Sequence, residues 1–432
     1  MKVSDILGLN ARTQLFSYPY NKPSAKKVAN SKLATKRAMK KAGIPVPEIY
    51  VKFVNPQKVM KFDWSSLPDA FAVKPNKGYG GEGIIVVKKR SKDKTGWITT
   101  SRKKITPDDL KLHCLDILEG AHSKRNVPDV AYIEEYVDRH KALKRYTFRG
   151  TPDVRVIVFN KVPVMAMLRL PTKESNGKAN LHQGAIAVGV DITTGITTHA
   201  YWHGEYIYNK PGTKRKLHGI KIPFWNKILK IAVQCQIATN LGYLGVDVGL
   251  HPKRGPMIWE LNYMPGLSIQ IANVAGLKRR LERVAGLKVK DEDHGVRIAK
   301  ALFVSDFTDR VKAEEGIRVI KGIEQVKVYA KDKKSKKVLA RIDTGALRSS
   351  IDRNLAEELD LLGQDNILWE RKYAYRSAGG KQSRPVIGLS FRLAGRKIKT
   401  SANVANRSKM STLLLVGRQD MTGFLVDPED NG

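Results

Sequence analysis

Asp247, Glu260 and Asn262 are the residues of this chain whose types and spacing best suit chemistry. They fall in Gly245-Val-Asp-Val-Gly249 and Trp259-Glu-Leu-Asn-Tyr-Met-Pro-Gly266, separated by the polar stretch His251-Pro-Lys-Arg-Gly255. That pattern predicts two antiparallel strands joined by a turn. Side chains alternate faces along a strand, so Glu260 and Asn262 share a face that Asp247 on the neighbouring strand can join. Two carboxylates and an amide oxygen form a hard, oxygen-only shell, suited to Mg²⁺ shared with nucleotide phosphates rather than to zinc. Taken alone, the same trio could equally cap a hairpin.

Upstream lies a second candidate element. A strand, Ala70-Phe-Ala-Val-Lys-Pro75, runs into the glycine-rich turn Asn76-Lys-Gly-Tyr-Gly-Gly-Glu-Gly83, and Ile84-Ile-Val-Val-Lys88 returns. Glycines such as Gly80 and Gly81 let backbone N–H groups approach phosphate oxygens closely. Lys74 supplies a fixed positive charge beside them, and Lys32 on the preceding helix adds another. The Gly-Lys-Ser/Thr ending of a Walker A loop is absent, and such a loop by itself also fits a plain hairpin. Further on, Glu134-Glu135-Tyr136-Val137 fits a hinge strand. Backbone groups of Tyr136 and Val137 would face an adenine edge while a carboxylate takes ribose hydroxyls; an ordinary edge strand is the alternative.

These residues need elements to hold them. Residues 24–42 predict one helix, with seven basic and no acidic residues, ended by Gly43 and Ile44-Pro-Val-Pro47. Val154–Phe159 and Pro163–Arg169 predict a hairpin turning at Asn160-Lys161, and 223–242 an amphipathic helix. The pattern changes around 305–322. Beyond Gly322 come short β segments at 323–330, 338–343, 385–393, 396–405, 412–417 and 423–426, with the lysine run 331–337 at an exposed hairpin tip.

At 432 residues the chain has room for two or three domains. Seventy-eight Lys and Arg against 41 Asp and Glu give a net charge of +37. A field of that size attracts polyanions, either an acidic protein or nucleic acid, unless it reflects only a source-wide lysine bias. No aromatic-studded RNA-binding motif or zinc finger accompanies it. Two cysteines form neither a disulfide framework nor metal-ligand spacing, and no run approaches the ~20 apolar residues that cross a bilayer. A cytoplasmic setting without membrane partners is the expectation.

In order, Lys32 before Gly43-Ile-Pro, Val73-Lys74-Pro with its glycine loop, Ile133–Val137, Asp153-Val-Arg155, Arg169-Leu-Pro-Thr172, Ala179-Asn-Leu-His-Gln-Gly184, Gly245-Val-Asp247 and Glu260-Leu-Asn262 resemble the ATP-grasp superfamily. In particular they are similar to its α-L-glutamate ligase-related branch, over roughly residues 20–290. The resemblance implies two α+β subdomains clasping ATP, and a carboxylate–amine ligase working through an acylphosphate on amino acid or peptide substrates, glutamate among them. It implies that Lys32 and Lys74 hold phosphates, Glu134 to Val137 hold adenosine, and Asn180 lies beside the γ-phosphate. Asp247, Glu260 and Asn262 would hold Mg²⁺, or Mn²⁺. Arg169 suits the transferring group, Arg155 a substrate carboxylate, and His182 either substrate or a structural hydrogen bond. The sequence departs from the family where Asn30-Ser31 replaces acidic residues, and only about 20 residues precede the first motif.

The C-terminal part resembles the retropepsin-like family often labelled ATP-dependent zinc protease. The carriers are Asp343-Thr-Gly-Ala346, Arg384-Pro-Val386, Asn406-Arg407-Ser408, Val416-Gly-Arg418 and Phe424-Leu-Val-Asp-Pro428. An Asp-Thr-Gly turn fixes a carboxylate such as Asp343 so that two can share a proton and activate water. With one copy per chain, a working dyad needs a homodimer; a degenerate domain acting as a binding or dimerisation module is the alternative. No zinc is expected there. The expected division is an extension at 1–20, an ATP-grasp domain at 21–315 and a mostly β domain at 322–432.

Overall fold

The computed structural model describes residues 3–78, 80–123, 126–303, 318–332, 334–374, 381–422 and 424–426. Residues 1–285 and 286–432 form two compact units. Tyr79 of the glycine loop and Asp427-Pro428 of the last C-terminal motif lie outside the described residues.

The first unit contains two sheets. The first has strands β1 (Ile49–Phe53), β2 (Phe71–Pro75), β3 (Ile85–Arg90), β4 (Trp97–Thr99), β5 (Lys104–Ile105) and β6 (Ala131–Glu135), in the order β1-β6-β2-β3-β4-β5. The helix Pro107–Glu119 buries Leu110, Cys114 and Ile117 against Phe53, Phe71 and Trp97. Because β6 lies between β1 and β2, it is an interior strand, and Tyr136 and Val137 sit just beyond its end.

The second sheet is antiparallel throughout. Its strands are β7 (Asp153–Phe159), β8 (Val162–Leu170), β9 (Ile186–Val190), β10 (Thr197–Trp202), β11 (Glu205–Ile207), β12 (Tyr243–His251) and β13 (Gly255–Asn262), in the order β11-β10-β9-β8-β7-β12-β13. The β7–β8 turn falls at Asn160 and Lys161, both left-handed (φ +48° and +60°), which matches the twist of a two-residue hairpin. The helix Trp225–Thr239 covers this sheet with Ile228, Leu229, Ala232 and Val233 buried.

Two expectations change. The basic segment 24–42 is two helices, Pro23–Ala29 and Lys32–Lys41. Ser31 caps the second through Ala34 N (3.1 Å), and Asn76 Oδ1 accepts from Leu33 N (3.0 Å), so capping bonds win over helical continuity at Asn30-Ser31. Residues 3–20 are packed rather than appended: Leu7 and Phe16 are buried, and Leu7 exchanges backbone bonds with the Gln270 side chain at 2.8 and 3.0 Å.

In the second unit, β14 (Arg318–Ile320), β15 (Ile323–Tyr329), β16 (Ser335–Asp343), β17 (Ser350–Asp352), β18 (Ile367–Ala374), β19 (Lys381–Leu393), β20 (Arg396–Ala405), β21 (Leu414–Gly417) and β22 (Phe424–Val426) appear. The order β15-β16-β21-β17-β20-β19 closes through a β15–β19 pairing into a six-stranded barrel, with β18 added outside β19. Val326, Val328, Ala340, Ile387, Phe391, Val404 and Val416 fill it. The helix Glu292–Leu302 belongs to this unit, although the sequence placed it in the first domain; its His294 Nε2 lies 2.7 Å from Leu368 O.

Candidate active site

The β12–β13 ladder pairs Asp247 with Glu260 and Gly245 with Asn262, with an irregularity just after Asp247. Asp247, Glu260 and Asn262 therefore share one face, as strand alternation requires. Asn262 Nδ2 reaches Asp247 Oδ2 at 3.4 Å, and the Glu260 side chain is 40% exposed.

Asp247 is also the hub of a buried ionic cluster. Arg155, its β7 register partner, donates from Nε to Oδ1 and from a terminal nitrogen to Oδ2, both at 2.7 Å. Arg169 on β8 donates to Asp247 Oδ2 at 2.7 Å and grips Asp153 at 2.6 and 2.7 Å. Burial alone would raise the Asp247 carboxyl, but the two guanidinium groups outweigh it and hold it at about 2. Burial lifts Asp153 to about 6, against the pull of Arg169 and helped by the negative charge of Asp247. Asp153 was visible in its motif but carried no expected role. Its place beside Arg169 follows from the β7–β8 register.

A second buried cluster lies in the first sheet. Glu134 is 1% exposed and meets Lys74 at 2.6 Å and Lys36 at 2.7 Å. Burial opposes its charge, but the two ammonium groups hold its carboxyl below the ordinary range. Desolvation lowers Lys36, partly offset by Glu134. The Glu134 carboxylate thus braces Lys74 instead of standing free for a ribose. Lys36 was missed; its signal was its place one turn beyond Lys32 on the same helix.

Glu135 pairs with Arg254 in the β12–β13 turn and lies 3.4 Å from Nε2 of His251 at the end of β12. The Tyr136 hydroxyl donates to Asp138 at 2.9 Å, and Val137 O accepts from Thr151 at 2.8 Å.

The glycine loop is tied down from two sides. Lys32 Nζ donates to Gly78 O at 2.8 Å and sits 3.7 Å from Glu260. Asn180 Nδ2 donates to Gly80 O at 2.9 Å. Gly80 and Gly81 are left-handed (φ +63° and +80°), a conformation that side-chain-bearing residues adopt at a cost. Lys32, Gly80, Asn180 and Glu260 are thereby linked, while exposed His182, among the described residues, joins this set through its backbone N–H to Asn180.

The donor set fits a hard dication. Glu260 and Asn262 offer oxygen ligands on an open face, and Asp247 Oδ1, which accepts a single guanidinium bond, keeps a second lone pair, whereas Oδ2 accepts from both Arg155 and Arg169. Among the described residues, no group of three or more His, Cys, Asp or Glu stands ready for a metal. A site here would rest on two carboxylates and an amide.

In the second unit, Asp343 ends β16, and its Oδ1 accepts from Gly345 N and Ala346 N at 2.9 and 3.0 Å. Parallel β21 runs alongside, pairing Asp343 with Gly417.

The fold and the linked loop define an ATP-grasp protein. The family model for sugar-transfer associated ATP-grasp proteins matches residues 11–286, well over half of the chain, and the chain belongs to that family. No curated protein matches it. Similar solved structures include the ATP-grasp ligase PsnB complexed with minimal precursor, at 14% identity over 62% of this chain and 63% of that one, TM-score 0.32. Another is the D-alanine–D-alanine ligase of Bacillus anthracis complexed with ATP, at 15% over 68% and 71%, TM-score 0.33. A third is Lpg0085 of Legionella pneumophila, of unknown function, at 18% over 26% and 94%, TM-score 0.18. The chain spans less than two thirds of the PsnB chain. Among the described residues, no helix is long and apolar enough to cross a membrane.

Proposed function

We propose that the first unit is an ATP-dependent carboxylate–amine ligase acting on an amino acid or peptide, with glutamate a candidate substrate. One observation carries this reading: Lys32 bridges the glycine loop at Gly78 O and the acidic face at Glu260. Phosphate-binding loop and oxygen-ligand face thus belong to one site. Glu260, Asn262 and Asp247 would hold Mg²⁺ or Mn²⁺, which when bound would neutralise charge on the transferring phosphate. Lys32 and the braced Lys74 place positive charge on the same phosphates. The backbone beyond β6, at Tyr136 and Val137, receives the adenine, and Asn180 anchors the loop over the triphosphate.

In the first step a substrate carboxylate oxygen bonds to the γ-phosphorus as the bond to the β-phosphate oxygen breaks, releasing ADP. In the second an amine nitrogen bonds to the acyl carbon, phosphate leaves and the nitrogen loses a proton. Arg155 and Arg169 form the positive wall behind Asp247, and His182 lies exposed at the rim for substrate.

The test is incubation with ATP, Mg²⁺ and a mixture of amino acids and peptides, following ADP and product masses. Glu260→Gln should lose turnover by about 100-fold or more. Equal product profiles from wild type and variant would sink the proposal.

We further propose that the second unit is retropepsin-like. A closed barrel with Asp343 fixed by its own turn supports that reading. Since one chain supplies one such carboxylate, activity requires a homodimer; peptide cleavage lost in Asp343→Asn, in a dimeric species, is the expected result. Persistent monomer at assay concentrations would argue against it.

A further inference from the structure

A concave site in the first unit is lined by none of the residues assigned above. Lys88, Lys89, Arg90, Lys92, Arg102, Arg139 and Arg149 line a pocket of about 620 Å³, together with Ile98, Thr99 and Thr100. Among the described residues, no carboxylate lines it. Seven cations converge on one volume, although like charges repel and each gains by separation.

Most of the side chains are not spent elsewhere. Arg139 Nε is buried without a hydrogen-bond partner, and its nearest carboxylate, Asp138, is 3.9 Å away. Such a group costs stability unless a ligand satisfies it. Among the described residues, Lys88, Lys89, Lys92 and Arg102 have no carboxylate within ion-pair distance. Arg102 and Arg149 sit at left-handed backbone positions (φ +69° and +55°), uncommon for arginine and aiming both side chains from tight turns. Arg149 is steadied by a bond to Ser101 O at 3.3 Å. Arg90 is the most committed, through Ser65 O and Leu67 O at 2.7 Å and Asp69 at 3.6 Å.

We propose that this pocket docks an acidic peptide segment, a short run of Asp and Glu side chains. The guanidinium groups offer planar forks that match carboxylates in pairs, and the lysines add mobile charge at the rim. Nucleic acid fits less well: among the described residues the lining has no aromatic side chain on which a base could stack, and the site is a pocket rather than a long basic track. The proposal stands independently of the ligase reading, because binding is measured without ATP.

The test uses the full chain and fluorescein-labelled hexaglutamate, read by anisotropy. Binding should weaken at least about ten-fold when Lys89→Glu and Arg102→Glu are combined, since each reversal adds repulsion to a lost attraction. Both side chains are exposed, and far-ultraviolet circular dichroism should match wild type. The control reverses the same amount of charge elsewhere, at Lys40→Glu with Lys41→Glu on the basic helix, and should leave binding within about two-fold. Equal loss in the two double variants would assign binding to the overall +37 field and overturn the site. An oligothymidylate or tripolyphosphate of matching charge should bind more weakly than the peptide. Equal or tighter binding of either would overturn the assignment to an acidic peptide.

Discussion

Arg155 grips Asp247 through two parallel hydrogen bonds, each 2.7 Å long and each to a different carboxylate oxygen. Arg169 adds a third to the same group. The carboxylate that would complete the proposed oxygen shell with Glu260 and Asn262 is therefore immobilised by neighbouring strands. Its position is set before any ligand arrives, which is what phosphoryl-transfer sites require of their parts.

Removing one partner should expose the cost of that burial. Arg155→Met leaves Asp247 with one guanidinium and should destabilise the first unit by about 3 kcal/mol. Urea unfolding followed by tryptophan fluorescence measures this. An unchanged midpoint would show that the pair contributes nothing.

Lys36 and Glu134 should be strongly coupled. Lys36→Met and Glu134→Gln each strand a buried charge, while the double variant removes both sides of their pair. A double-mutant cycle should give a coupling of about 1–3 kcal/mol. If the two losses simply add, the 2.7 Å contact is energetically silent.

The two aspartates of the cluster give opposite pH signatures. Asp153 is raised to about 6 from 3.8, so the folded state binds its proton first. Its contribution to stability grows as pH falls from about 6 towards 3.8 and is lost as pH rises through that window. Asp247, held at about 2, contributes fully above 3.8 and loses that contribution as pH falls towards 2. In Asp153→Asn the first component disappears. Urea midpoints across pH 6 to 3.8 should therefore show wild type gaining on the variant as acid is added. Parallel curves would contradict the assignment.

Asn180 should act through the loop rather than through the fold. Asn180→Ala removes the bond to Gly80 O, worth about 1 kcal/mol, and should raise the KM for ATP roughly five-fold. Thermal stability should stay within a degree or two of wild type, since Asn180 is only half-buried. A fall in kcat at constant KM would point to a different role.

Gly417 offers a probe of the barrel. A Cβ there would lie 2.4 Å from the backbone of Arg348, with no flexible side chain to yield. Gly417→Ala should cost the second unit about 2–3 kcal/mol, read from its unfolding by hydrogen exchange. Wild-type protection of Val416 and Leu414 amides would refute this.

The sequence by itself determined the elements whose signals are local. The β7–β8 hairpin at Asn160-Lys161, the β12–β13 pair and the common face of Glu260 and Asn262 all follow from alternation and turn chemistry. The barrel strands 323–329 and 396–405 were legible for the same reason. Short β17 and outlying β18 were not, since three residues or one paired edge leave little periodic signal. Only the tertiary structure decided which charges meet. Lys36 was one of seven basic residues of the segment 24–42 and had no assigned role until packing buried it against Glu134, 98 residues away. Glu134 in turn became a brace for Lys74, and Asp153, Arg155, Arg169 and Asp247 became one cluster through the order β8-β7-β12. Periodicity fixes which face a side chain takes on its own strand. Which strand lies beside it, and hence which opposite charge compensates its burial, depends on contacts between segments far apart in the chain.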